Sequence, residues 1–430
     1  SDLNGDHIEA LLQGDWLKKV VDHPNYNPRL IAHISAECPK DLEPSDYPKL
    51  AFKTLENPAL VWAKAYRSLS MRCQNLLVAL YFGNQYRQSI KILRENFDAI
   101  HNKICENYSQ PSKPEDFEEA LRSLESGFIA ISDQNVRFVN PSVRDFLREH
   151  LSDGAFLALL PPLCVRAEWA QNLWSHLKHT FQTDPDKLKT LALAFFEFAN
   201  KLDKIPNFEN VKLRQYNYWH TKLDDLSIAD RGSVLLDLFE HSGDSRFLDA
   251  AISVLKSDSL WVDAARDSRE LPELHWRISS FVGDDLVGKV VLLTAVEVAL
   301  VRAIEAGVPM DELVAVKDAI DEYLDAAIDL GPIENAINSA IDYEFDEVSE
   351  TISNLSSESE LNEHIELLEF IAKHTGRSAE AAKNVVQQKI SEIEAPDYDE
   401  YQPSPRVQST RADTEFSDND LVSLFSTLSK

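Results

Sequence analysis

Glycine is the feature that most limits this chain: there are 12 in 430 residues, where an average protein uses about 7%. Glycine supplies the positive-φ backbone of tight strand turns and the close backbone approach of dinucleotide loops. A chain this poor in it is a weak candidate for glycine-rich sheet folds or dinucleotide-binding folds. Helices are joined more cheaply, by capping side chains and proline, so a mainly α fold is expected. Hydrophobic content of 44% and charged content of 27% fit a globular chain and exclude collagen and low-complexity sequence. The length predicts two to four domains at roughly 100–200 residues each.

The net charge is −29, and it is unevenly spread. Residues 291–430 hold 30 acidic and 9 basic side chains, whereas residues 1–290 hold 42 and 34. The last third therefore repels nucleic acid and anionic membrane and favours a basic partner surface. Cys38, Cys73, Cys105 and Cys164 form no CxxC pair, so neither a zinc site nor a disulfide lattice is expected. Reduced thiols and a polar, acidic start at Ser1–Asp6 point to a cytoplasmic protein without a leader. The most apolar run, Val287–Ala306, carries Lys289, Glu297, Arg302 and Glu305, which predicts a buried helix rather than a membrane span. The missing initiator Met leads us to expect a piece of something longer.

Along the chain, residues 1–57 read as a short helical segment interrupted by the irregular stretch Asp22–Ile31. Pro28 is placed to open a helix there, Arg29–Ala36, with Asn27 as its cap. Helices follow at 58–69, Met71–Phe82, Arg87–Glu106 and Lys113–Ser126. Phe128–Ser132 and Val136–Val139 read as strands around a turn, and Asn140-Pro141 caps and opens the helix Ser142–Leu151. Helices, a small hairpin and a closing helix describe a winged-helix domain over 58–152. Residues 153–394 read as an irregular, solenoid-like helical array, with no other hairpin. Its expected helices include Asp186–Lys201, Leu260–Asp267, Leu271–Phe281 and Asp285–Ala306. Residues 395–430 read as a proline-containing linker and an amphipathic tail helix. Leu421, Leu424 and Phe425 of that tail are candidate partner-binding residues.

Motifs for chemistry are weak. Gly283–Val290 fits G-x-x-x-x-G-K but has Val290 where magnesium needs Ser or Thr, so a helix–loop–helix corner with a solvated Lys289 is expected. His176 and His179 are spaced for a metal but lack a third ligand beyond Glu168, so surface or half-buried histidines are expected. GxSxG, HExxH and GxGxxG do not occur. The helix that would read DNA, Lys113–Ser126, has Lys113 and Arg122 against Glu115, Asp116, Glu118, Glu119 and Glu125, a poor match to phosphates.

His23-Pro24-Asn25-Tyr26-Asn27-Pro28-Arg29-Leu30-Ile31 resembles the "NYNPR" stretch of bacterial novel-STAND NTPases, the signal-transducing P-loop ATPases of antiphage systems. Asn57-Pro58…Trp62 is similar to that family's "NP…W" helix, and Val136–Leu147, through Asn140-Pro141-Ser142-Val143-Arg144-Asp145-Phe146, to its winged-helix end. The resemblance covers roughly residues 8–150. It implies a lid and winged helix that close over a nucleotide, with Pro28 and Arg29 near the adenine or hinge and Asn140 at the position where related ATPases place a nucleotide-sensing His. It also implies a C-terminal helical sensor of a foreign protein that drives oligomerisation.

No Walker A or B motif is present, so ATP and Mg²⁺ would be bound by an NTPase core lying outside this sequence, and no cofactor is expected in this chain itself. The expected protein is therefore not an enzyme. It is the regulatory and target-sensing region of a STAND NTPase, with a phage protein, the NTPase core and further copies of itself as partners, and no membrane. The alternative is a free-standing winged-helix transcriptional regulator that binds DNA.

Overall fold

A computed structural model describes residues 5–394 apart from 27–30, 32, 33, 36, 37, 40, 57, 58, 85, 126, 214–217, 284–287 and 325–329. The described residues are mainly helical, with two small antiparallel sheets among them. Helices α1 (Gly5–Leu12), α2 (Trp16–Val21) and α3 (Tyr47–Glu56) surround a small core of their own, centred on Val20, Tyr47, Ala51 and Leu55. A much larger core begins at Trp62 in α4 (Ala59–Arg67) and continues through Ile341 without a break at residue 152.

The first part of that core is built from α5 (Met71–Tyr81), β1 (Gln88–Ser89), α6 (Ile90–Asn107), α7 (Asp116–Leu124), β2 (Ile129–Ser132), β3 (Asn135–Phe138) and α8 (Pro141–His150). Ser89 starts α6 by accepting a hydrogen bond from the Ile92 amide. Leu93, Phe97, Ile100 and Ile104 then bury one stripe of that helix, at the spacing an amphipathic helix requires. The sheet order is β1–β3–β2, with Ile131 and Gln88 on either side of Val136. Asp133 and Gln134 both take positive φ, the two-residue turn whose twist matches that of the strands it joins. β1 was not expected: two residues are too few for an alternation signal.

The remainder is α9 (Gly154–Leu157), α10 (Ala167–Thr180), α11 (Pro185–Leu193), α12 (Phe196–Ala199), β4 (Phe208–Leu213), β5 (Tyr218–Leu223), α13 (Ile228–Ser242), α14 (Arg246–Leu255), α15 (Ala264–Phe281), α16 (Lys289–Glu305), α17 (Leu313–Tyr323), α18 (Gly331–Asp346), α19 (Val348–Thr351), α20 (Glu358–Thr375) and α21 (Glu380–Glu394). α13 packs on α14 and α15, α14 on α16, α15 on α16 and α17, and α16 on α18. α13 begins with a capping box between Ser227 and Asp230 and ends at Gly243, whose φ of 70° closes the helix as only glycine does without strain. α19–α21 gather around a third core that includes Val348, Leu361, Leu368 and Val386.

Four expectations are corrected. The hairpin β4–β5 is a second one, where residues 153–394 were read as helical throughout; Phe208 pairs with Leu223 and Lys212 with Trp219. The expected helix 186–201 is split into α11 and α12. α15 is one helix from Ala264 to Phe281 that includes Pro272, where a break between Asp267 and Leu271 was expected. An interior proline costs a helix about 3 kcal/mol, here outweighed by packing against α13, α16 and α17. α16 is not buried all round: Val290, Val291 and Val298 are exposed. Among the described residues no helix is long and apolar enough to cross a membrane.

Candidate functional site

The densest buried chemistry lies where the array meets the strand-bearing unit, at the base of the β4–β5 hairpin. Its centre is Arg231, an arginine in the apolar stripe of α13 formed by Ile228, Leu235 and Leu238. Arg231 and the Asp225 carboxylate are both fully buried, 3.2 Å apart. Arg231 also donates to Leu202 O and Ile205 O at 2.7 and 2.6 Å, to Pro206 O at 3.3 Å, and to Leu226 O at 3.1 Å. One guanidinium therefore holds both legs of the hairpin, the segment entering β4 and the segment leaving β5. Only arginine has donors enough, in a fixed fork, to do this. Burial pulls the Arg231 pKa down to about 10, against the pull of Asp225, so the group keeps its charge near neutrality.

Asp225 links the hairpin base to α10. Its two oxygens accept from the Ala167 and Glu168 amides at 2.9 and 2.7 Å, supplying the open N–H groups of that helix's first turn from a distant part of the chain. Arg166 adds an ion pair to Asp224 at 2.9 Å. Asn207, also fully buried, locks the base from the other side. Its amide donates to Trp261 O at 2.8 Å and accepts from Trp261 N at 2.9 Å, while its carbonyl accepts from the Asp224 amide.

α10 carries the connection on to α5. Trp169 Nε1 donates to Ala79 O at 3.1 Å, and Asn172 donates to Phe82 O and Gly83 O at 3.0 and 3.2 Å. His176 is buried rather than exposed, and both its ring nitrogens face protein groups. Its Nε2 donates to Leu151 O at 2.7 Å and its Nδ1 lies 3.0 Å from the Tyr81 hydroxyl, while burial pushes its pKa down. Neutral His176 with the Nε2–H tautomer satisfies both contacts. His179 is exposed. Among the described residues no cluster of three or more His, Cys, Asp or Glu is placed to hold a metal.

Between these parts lies a polar cleft of about 540 Å³, bordered by Asn84, Arg87, Gln88, Glu168, Asp224, Asp230 and Arg266. Most of its charges are already paired: Arg266 with Asp230 at 2.8 Å and Lys222 with Glu209 at 2.7 Å. Glu168 accepts from Asn84 at 2.9 Å, and burial pushes its carboxyl pKa up. The cleft follows the seam between these elements.

Behind it, Asp267 is fully buried and accepts from the Ala229 and Asp263 amides at 2.8 and 2.9 Å. Burial, opposed by those bonds and one from Ser227, pushes its pKa up to about 6. A carboxyl raised in the folded state contributes stability that is full below its unfolded pKa of 3.8 and is lost as pH rises through about 6. The stability gap between the native chain and Asp267→Asn is therefore expected to widen in urea titrations as pH falls from 7 to 5. A shift from 3.8 to about 6 is worth about 3 kcal/mol in total at about 1.4 kcal/mol per unit, and about half of it falls between pH 7 and 5. A gap that stays flat over that range contradicts the assignment.

Of the sequence candidates, Asn140 is described. It is buried, and its Oδ1 accepts from the Ser142 amide at 2.8 Å as the cap of α8. Pro28 and Arg29, and Leu421, Leu424 and Phe425, lie outside the described residues. Lys289 is corrected: it is buried and donates to Ser279 O and Val282 O at 2.9 and 2.7 Å. Arg231, Asp225 and Asn207 were missed. The one available signal was an arginine at a core position of an amphipathic helix. The four cysteines are buried thiols. No family model, no curated protein and no solved structure matches the chain.

Proposed function

We propose that this chain is the regulatory and target-sensing region of a STAND-type NTPase of bacterial antiphage defence, coupled to an NTPase core and effector outside this sequence. The observation that carries the reading is the seam from α5 through α10 to the hairpin base. Buried hydrogen bonds join the two parts along one helix, so a force applied to the array is delivered to the strand-bearing unit. A relay needs such a contiguous, rigid connection.

Other features support it. The order α5–β1–α6–α7–β2–β3–α8 with β3 central suits a winged helix, and packing of each helix from α13 to α16 on its second-next neighbour suits an irregular solenoid. In this reading ATP and Mg²⁺ belong to the core, no residue here does chemistry, and the array binds a foreign phage protein in the cytoplasm. On α7, Glu118 and Glu119 are taken by Arg94 and Arg72, and Glu125 is exposed, an arrangement that disfavours a phosphate backbone.

The test is the reading frame upstream of Ser1 together with an ATPase assay of the isolated chain. A continuous frame with a strand–GxxxxGK[ST]–helix and a later Walker B strand is expected, and the chain alone should not turn over ATP. A frame without those motifs, or clear hydrolysis by residues 1–430, overturns the proposal. Salt-dependent binding to duplex DNA would move the assignment to a transcriptional regulator.

A further inference from the structure

The hairpin β4–β5 is heavily anchored and bare at the same time. Its base is held by fully buried Arg231, Asp225 and Asn207, yet Trp219 is 60% exposed, against 1–2% for Trp62, Trp169 and Trp174. Tryptophan is strongly buried on average, and a two-stranded hairpin is marginal by itself, so this much anchoring beneath an exposed indole suggests a presented surface. Lys212 sits directly across from Trp219, on the same face of the ribbon, and is exposed. Residues 208–223 hold three basic side chains and one acidic one, inside a chain of net charge −29.

A complementary surface exists on the same molecule. A groove of about 590 Å³ lies between the end of α16 and α18, with Val308, Pro332 and Ala340 in its lining and Tyr343 beside them. Glu305 and Glu344 also border it, and neither has an ion-pair partner among the described residues. Burial pushes the Glu344 carboxyl pKa up, as expected of a carboxylate that lacks a cation.

We propose that Trp219 of one copy of this chain inserts into the α16–α18 groove of a second copy, with Lys212 meeting Glu305 and Glu344. An aromatic anchor entering a pocket beside a charged pair is how small interfaces concentrate their affinity. The two surfaces differ, so the contact is heterologous and propagates beyond a dimer. It is small and charge-assisted, so it is weak and sensitive to salt. It does not depend on whether an NTPase core precedes the chain.

Sedimentation velocity of the full chain tests it. Association that rises with protein concentration and is suppressed by high salt is expected. Trp219→Ala removes the anchor and Ser339→Arg, at an exposed groove position, blocks the pocket; each alone should stay monomeric. Mixed in equal amounts, the intact hairpin of the Ser339→Arg chain and the intact groove of the Trp219→Ala chain should give a dimer and nothing larger. Lys212→Glu provides a second hairpin variant with the same expected loss. A native chain that is monomeric at every concentration, variants that still self-associate, or a mixture that stays monomeric each overturns the proposal.

Discussion

Replacing Arg231 by methionine is expected to destabilise the protein by about 3–5 kcal/mol, the usual cost of removing one partner of a buried ion pair. At roughly 2–4 °C per kcal/mol for a large domain, that is a fall of about 6–20 °C in the unfolding midpoint. The physical reason is not the Asp225 pair alone. Methionine fills much of the volume but leaves the carbonyls of Leu202, Ile205, Pro206 and Leu226 without the donor they share, and an unmet buried polar group costs about 1–3 kcal/mol. Arg231→Lys keeps the charge but cannot span both legs of the hairpin, so an intermediate loss is expected. The loss should be local first: protease cleavage within residues 206–224 should accelerate at temperatures where the far-ultraviolet signal is still native. A midpoint shift below about 2 °C would mean that the Arg231 cluster is not the clamp described here.

Trp169→Ala is expected to cost about 3–5 kcal/mol, as for other large buried aromatics cut to alanine, and to change the form of unfolding as well as its midpoint. Trp169 is 2% exposed, stacks edge-on against Phe82 and donates to Ala79 O. It is the central contact between α10 and α5. The uninterrupted core from Trp62 to Ile341 predicts one calorimetric transition for the native protein over that span. With the contact removed, the strand-bearing unit and the array should melt separately, giving two resolved transitions. Trp169→Phe retains most of the packing and loses the indole bond, for about 1 kcal/mol, and should keep the single transition. A single transition of unchanged midpoint in Trp169→Ala would remove the basis for treating this seam as a relay.

The two halves of the hairpin problem show why some features were legible and others were not. The turn at Asp133-Gln134 and the cap Asn140-Pro141 act within two or three residues of themselves, so their side chains announce the structure locally. The same holds for Ser227 with Asp230 and Ser357 with Glu360, the capping boxes of α13 and α20. The β4–β5 ribbon carries no such mark. Its stability depends on Asn207 reaching Trp261 and on Arg231 gathering carbonyls that precede it by 26 and 29 residues.

The break expected between Asp267 and Leu271, just before Pro272, errs in the opposite direction. Its local rule, that proline ends a helix, is sound, yet α15 continues because three neighbouring helices cover it. Lys289 misled because a charged residue next to a glycine loop ordinarily faces water, whereas here two carbonyls at the end of α15 take its ammonium group.

The sequence by itself determined the mainly helical class, through scarce glycine and recurrent caps, the short hairpin before α8, and the acidic imbalance of the last third. These follow from composition or from interactions spanning a single helical turn, which any window of the chain contains. Only the tertiary structure decided that α10 is the bridge between two parts of the molecule. It alone placed Arg231 under a protruding hairpin and left Trp219 bare opposite a chain whose own groove is acidic. Those outcomes depend on which buried groups meet across about 25 to 90 residues, and desolvated charge, unlike helix propensity, has no value until its partner is in place.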